Sequence, residues 1–123
     1  MVWTFDERSP IYSQIVQEIK LQIVSYQIKS GEQLPTVRDF AEKAGVNPNT
    51  MQRAFTELER EGLVYAKRTS GRFVTDDQEL IDQKRHELAA NEIATFIKKM
   101  LTLGFSEKDI TSEIKAYLKE TKG

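Results

Sequence analysis

Between Ala44 and Asn49 the chain reads Gly45-Val46-Asn47-Pro48, a stop signal and a start signal for helices with nothing between them. Gly45 suits the left-handed position that closes a helix. Asn47 can cap the next helix, and Pro48 fits its first turn, where the missing N–H costs nothing. Val46 can staple onto Met51. Two helices joined by so short a turn make a helix-turn-helix, so the middle of the chain is confined to a small set of folds.

The flanks extend the pattern. Thr36 begins the helix before the turn, with Asp39 at the capping-box position and Val37, Phe40, Ala41 and Ala44 on one apolar face. Leu34-Pro35 holds the chain extended before it, and Ser30-Gly31-Glu32-Gln33 separates it from an earlier helix, Ile11 to Gln27. In that first helix Ile11, Ile15, Ile19 and Ile23 recur every fourth residue, with Val16 and Val24 beside them. The helix after the turn starts at Pro48 and ends where Gly62 turns left-handed and Leu63 folds back onto Leu58. Two β-prone runs follow, Leu63 to Lys67 and Arg72 to Val74, joined by the polar loop Arg68-Thr69-Ser70-Gly71. A hairpin directly after a helix-turn-helix is the order of a winged helix.

Asp76-Asp77 can cap a long helix from Gln78 to Leu103. Gly104 ends it, and Ser106 with Asp109 opens a last helix. The expected architecture is mainly α: a winged helix-turn-helix of three helices and a β-hairpin wing in residues 1–75, then a two-helix segment in residues 76–123. Two short helices can hardly enclose the roughly 300 Å³ that a ligand pocket needs. Their apolar residues Leu88, Ile93, Phe96, Ile97, Met100, Leu101, Ile110, Ile114 and Leu118 exceed what one protomer would leave exposed, so they are the candidate dimerisation face.

Composition removes other function classes. Of 123 residues, 39% are hydrophobic and 30% charged, which suits a helix-rich globular chain. No apolar run approaches a membrane span, and the N-terminus lacks the pattern of a secretory signal, so the expected location is the cytoplasm. Cysteine is absent and His86 is the single histidine, set among charged neighbours. With no glycine-rich phosphate loop and no suggestive acid pair, no enzyme, metal site or cofactor is expected. The net charge of −1 gives no overall attraction to DNA. Lys67, Arg68 and Arg72, with no acid among them, form a local basic spot.

On the third helix, a spacing of 100° per residue puts Met51, Ala54, Phe55 and Leu58 on one face. Asn49, Arg53, Thr56 and Arg60 lie opposite, with Thr50 and Gln52 on the flanks. Acids appear only from Glu57 onward. A helix fits the major groove, where Asn and Gln bond adenine edges, Arg forks onto guanine, and Thr meets phosphate or a thymine methyl. The N-terminus of this helix, at Asn47, offers N–H groups and a positive dipole end to phosphate. Arg38 sits where the second helix would cross the backbone. The wing tip Arg68, Thr69, Ser70, Gly71 and Arg72 could enter a minor groove. The candidate DNA-contacting set is Thr36, Arg38, Asn47, Asn49, Thr50, Gln52, Arg53, Arg68, Ser70, Gly71 and Arg72.

The stretches Pro10-Ile11-Tyr12-Ser13-Gln14-Ile15, Gly31 to Arg38, Gly45 to Phe55, Leu58 to Leu63 and Gly71-Arg72-Phe73-Val74 resemble the GntR family of bacterial transcription regulators. The short helical C-terminal part resembles its YtrA-like subfamily. The resemblance implies a dimeric repressor on a palindromic operator, commonly near genes for ABC transporters, with the C-terminal helices serving dimerisation. It implies DNA contacts at Arg38, Asn49, Thr50, Gln52 and Gly71. Pro48 departs from branches with a basic residue there, so their base preference does not transfer. Any small-molecule effector is unspecified. The competing reading is a winged helix that has become a protein-interaction module, which the near-neutral charge favours.

Overall fold

The computed structural model describes residues 3–122. Its elements follow the order α1 (Ile11–Val24), α2 (Val37–Ala44), α3 (Pro48–Arg60), β1 (Val64–Lys67), β2 (Gly71–Val74), α4 (Gln78–Thr102) and α5 (Glu107–Lys122). Two compact units result, residues 1–85 and 86–123, so the first turns of α4 belong with the winged helix.

Helix α3 is the hub of the first unit, packed against α1, α2 and β1. Met51, Ala54, Phe55 and Leu58 are wholly buried, and Ile15, Ile19 and Ile23 of α1 meet the same core. Phe40 of α2 stands edge-on to Phe55 at 5.7 Å. Trp3 stands edge-on to Phe40, also at 5.7 Å, and stacks on Phe5. Trp3 thereby joins the N-terminal segment to α2.

Local chemistry sets the helix ends. Gly45 closes α2 at φ 69°. The Leu63 N–H returns to the Leu58 carbonyl over Gly62 at φ 80°, closing α3 as expected. Helix α1 stops at Val24, short of Gln27. Tyr26 takes the left-handed conformation at φ 60°, and the Arg85 guanidinium bonds the Val24 carbonyl at 2.7 and 2.9 Å. That contact and the wholly buried Ile81 hold the start of α4 on the first unit.

Strands β1 and β2 pair antiparallel, Val64 with Val74 and Lys67 with Gly71. A further extended piece, missed in the sequence, borders β2. Gly31 N–H bonds the Val74 carbonyl, Val74 N–H the Glu32 carbonyl, and Leu34 N–H the Arg72 carbonyl, with Gln33 bridging to Phe73. The wing is thus a hairpin whose second strand is supported on both edges.

In the second unit, Gly104 at φ 101° ends α4 and the Ser106 hydroxyl accepts from Asp109 N–H at the start of α5. Ile93, Phe96, Ile97, Leu101, Ile114, Tyr117 and Leu118 are exposed. Leu88 and Met100 are half-buried. Ile110 corrects the expected dimerisation face: only 5% exposed, it is already sealed within the single chain. A groove of about 520 Å³, lined by Phe96, Met100, Glu113, Ile114, Tyr117 and Leu118, lies open to solvent and is not an enclosed pocket. Among the described residues no helix is long and apolar enough to cross a membrane.

One ionic cluster braces the first unit. Glu61, just past α3, meets Lys20 of α1 at 2.8 Å and Lys84 of α4 at 3.1 Å. Burial alone would raise the Glu61 pKa, but hydrogen bonds from the two ammonium groups outweigh it and hold the carboxyl below its ordinary 4.5. A carboxylate whose pKa falls on folding contributes stability that is complete above the ordinary value and is lost as pH falls through the lowered one. Glu61→Gln is expected to cost about 1–3 kcal/mol near neutral pH. It should also flatten the acid side of a stability profile measured by urea unfolding; an unchanged acid limb would contradict the pairing.

Candidate nucleic-acid interface

Burial of one face of α3 dictates what the other presents. Asn49, Gln52, Arg53, Thr56 and Arg60 are exposed and Thr50 is half-buried, in the order expected. Gln52 and Thr56 bond each other, the Thr56 hydroxyl donating to the Gln52 carbonyl at 3.0 Å. The Arg53 guanidinium lies 3.8 Å from the centre of the Tyr12 ring. Stacking engages the flat face of the guanidinium and leaves its in-plane donors available. Arg60 is paired with Glu57.

The helix starts differ from expectation in one respect. Asn47 caps α3 by accepting from Asn49 N–H at 2.7 Å, Thr50 N–H returns to the Asn47 carbonyl, and Pro48 has no N–H. The N–H groups expected to meet phosphate at α3 are therefore occupied within the chain, and only the dipole end remains. At α2 the Thr36 hydroxyl accepts from Asp39 N–H at 3.1 Å, and no bond to the Val37 or Arg38 N–H is found among the described residues. Arg38 itself is exposed, with no ion pair among the described residues.

The wing and α2 are brought together by the edge that the sequence did not reveal. Because Leu34 is bonded antiparallel to Arg72, the chain beyond Leu34 runs toward the wing tip and carries Thr36 with it. Arg68, Thr69 and Ser70 form the exposed turn. Arg72 does not join them. Its guanidinium pairs with Glu59 of α3 and lies 5.4 Å from the centre of the Phe55 ring, a strut from the wing to α3. Lys67, outside the candidate set, lies 4.6 Å from the centre of the Phe73 ring. Gly71 has a conformational reason to be glycine: φ is 100°, and an added Cβ would come within 3.1 Å of the Gln33 amide nitrogen.

The interface therefore combines a polar helix face free of acids over its first turns, an unpaired arginine at the start of α2 and a small basic turn. No group of acids or His able to hold a metal occurs among the described residues.

Residues 11–74 match the family described as bacterial regulatory proteins, gntR family. The chain is 34% identical over 113 residues to an uncharacterized HTH-type transcriptional regulator, YhcF of Bacillus subtilis, covering 92% of this chain and 93% of that one. It is 40% identical over 74 residues to the HTH-type transcriptional repressor YtrA of the same organism, covering 58% and 57%. A GntR family transcriptional regulator from Listeria monocytogenes superposes with a TM-score of 0.84 at 38% identity, covering 91% of this chain and 98% of that chain. The DNA-binding domain of AraR, in a crystal structure with an operator, superposes with a TM-score of 0.56 at 26% identity, covering 61% and 96%.

The different environments of the arginines predict different costs. Arg72→Ala is expected to lower unfolding stability by about 1–2 kcal/mol, through loss of the Glu59 pair and the Phe55 contact. Arg38→Ala and Arg68→Ala should stay within about 0.5 kcal/mol of the parent. Chemical denaturation of the three variants checks this, and an Arg72→Ala protein as stable as the parent would contradict the strut.

Proposed function

Because the chain belongs to the gntR family of bacterial regulatory proteins, we propose that it acts as a homodimeric repressor, each protomer placing α3 in the major groove of one half of a palindromic operator. DNA-binding winged-helix transcription regulation is the business of the family. The dimer, the symmetric operator and repression are the finer part of this reading, and YtrA, a YtrA-like relative, is named a repressor.

The observation that carries the proposal is the acid-free N-terminal half of α3, with Asn49, Gln52 and Arg53 exposed and Thr50 half-buried over a wholly buried inner face. In a major groove Asn49 and Gln52 have the amide geometry to read adenine, and Arg53 the fork to read guanine. Thr36, Arg38, Arg68, Ser70 and Gly71 then serve phosphate and minor-groove contacts, with Asn47 as the cap that aims the helix and Arg72 as the strut behind it. Supporting the dimer are Ile93, Phe96, Ile97, Leu101, Ile114 and Leu118, large apolar side chains exposed in the single chain. Covering such a face with its own copy also doubles the number of phosphate contacts. That second set offsets a protomer charge of only −1. The transporter-operon setting implied by the family resemblance is part of the same proposal, and the genes beside the operator test it.

Gel shift with duplex DNA from the gene's own promoter region is the first test. Affinity should fall at least about tenfold between 50 and 200 mM salt. Gln52→Ala should lose about 1–3 kcal/mol on the operator and little on unrelated duplex, whereas Arg38→Ala should weaken both alike. No binding by a folded protein at any salt would favour the protein-interaction reading. Sedimentation should give a dimer that Phe96→Asp with Leu101→Asp converts to monomer with loss of operator binding. A monomeric parent would refute the proposed assembly.

A further inference from the structure

The wing tip has little to hold it by itself. Beyond the last strand pair, Lys67 with Gly71, the turn residues Arg68 to Ser70 carry one long backbone bond among the turn bonds, Ser70 N–H to the Lys67 carbonyl at 3.3 Å, and Gly71 brings the freedom of a positive φ. The supporting edge, which secures Phe73 and Val74, stops short of the tip for a chemical reason. Thr36, the next residue whose N–H would face β2 in the antiparallel alternation, turns aside to cap α2. One side chain bridges the gap. The Gln33 carboxamide donates to the Ser70 carbonyl, 37 residues away, while its own backbone pairs at Phe73.

We infer that Gln33 is a positioning residue for DNA binding, fixing the wing turn in the conformation that presents Arg68 to the duplex without itself touching DNA. The glycine at position 71 completes the device, because a Cβ there would crowd the Gln33 amide nitrogen at 3.1 Å. An ordered turn meets the duplex without first losing its loop entropy, so the bond acts on affinity through pre-organisation. This role rests on the DNA-binding function argued above and adds to it a residue outside the helix-turn-helix and outside the hairpin.

Gln33→Met keeps the length of the side chain and removes the donor. In the absence of DNA, amide exchange at Thr69, Ser70 and Gly71 should accelerate several-fold in the full-length variant, with Leu34 and Val74 amides unchanged. Fluorescence anisotropy on a duplex from the gene's own promoter region should show a loss of about three- to tenfold in affinity for a single Gln33→Met change. Placed in an Arg68→Ala background the same substitution should add little, because the contact that it positions is already gone. Unchanged exchange at the turn overturns the clamp. Accelerated exchange with unaltered affinity, or an undiminished loss in the Arg68→Ala background, overturns its role in binding. A parent protein that binds no duplex would contradict the DNA reading instead, and the exchange comparison would still decide the clamp.

Discussion

Everything in the first unit depends on burying Met51, Ala54, Phe55 and Leu58 against α1, α2 and β1. The hydrophobic effect has no direction of its own, but a helix has only one way to hide four residues at this spacing. Hiding them turns Asn49, Gln52 and Arg53 outward. The same packing puts Phe40 and Phe55 edge to edge, so the angle between α2 and α3 is set by aromatic contact in the core.

Polar interactions then fix what burial leaves loose. Asn47 and Thr36 define where α3 and α2 begin, which sets the level of the side chains on their outer faces. The Arg72–Glu59 pair ties the wing to α3, and Glu61 gathers Lys20 and Lys84 from two other helices. At the end of α1, Arg85 takes over a helix-end carbonyl that water would otherwise serve. These contacts hold three candidate DNA-binding elements, the start of α2, the face of α3 and the wing, on one scaffold.

How much of this was legible follows from the range of each interaction. The caps, the Gly45 and Gly62 stops and the apolar face of α3 are local codes, and the structure has them where the sequence places them. The edge formed by Glu32, Gln33 and Leu34 was not legible, because so short an extended piece shows no period and owes its existence to β2, distant in the chain. Arg72 reads as one more basic wing residue until Glu59 is seen beside it. The α5 stripe also hides a distinction: Ile110 and Ile114 have the same spacing and chemistry, but one is buried within the chain while the other is 39% exposed. Only packing separates them. The start of α3 carried the opposite error, since good capping by Asn47 consumes an N–H that the dipole picture leaves free for phosphate.

Paired copies of α3 entering the major groove of a duplex would leave a symmetric mark in hydroxyl-radical footprinting of the protein on its own promoter region. Two symmetric patches of protection are expected, their centres about one helical turn, roughly 10 base pairs, or a multiple of it apart. A single patch, or protection spread evenly along the duplex, would contradict the paired entry.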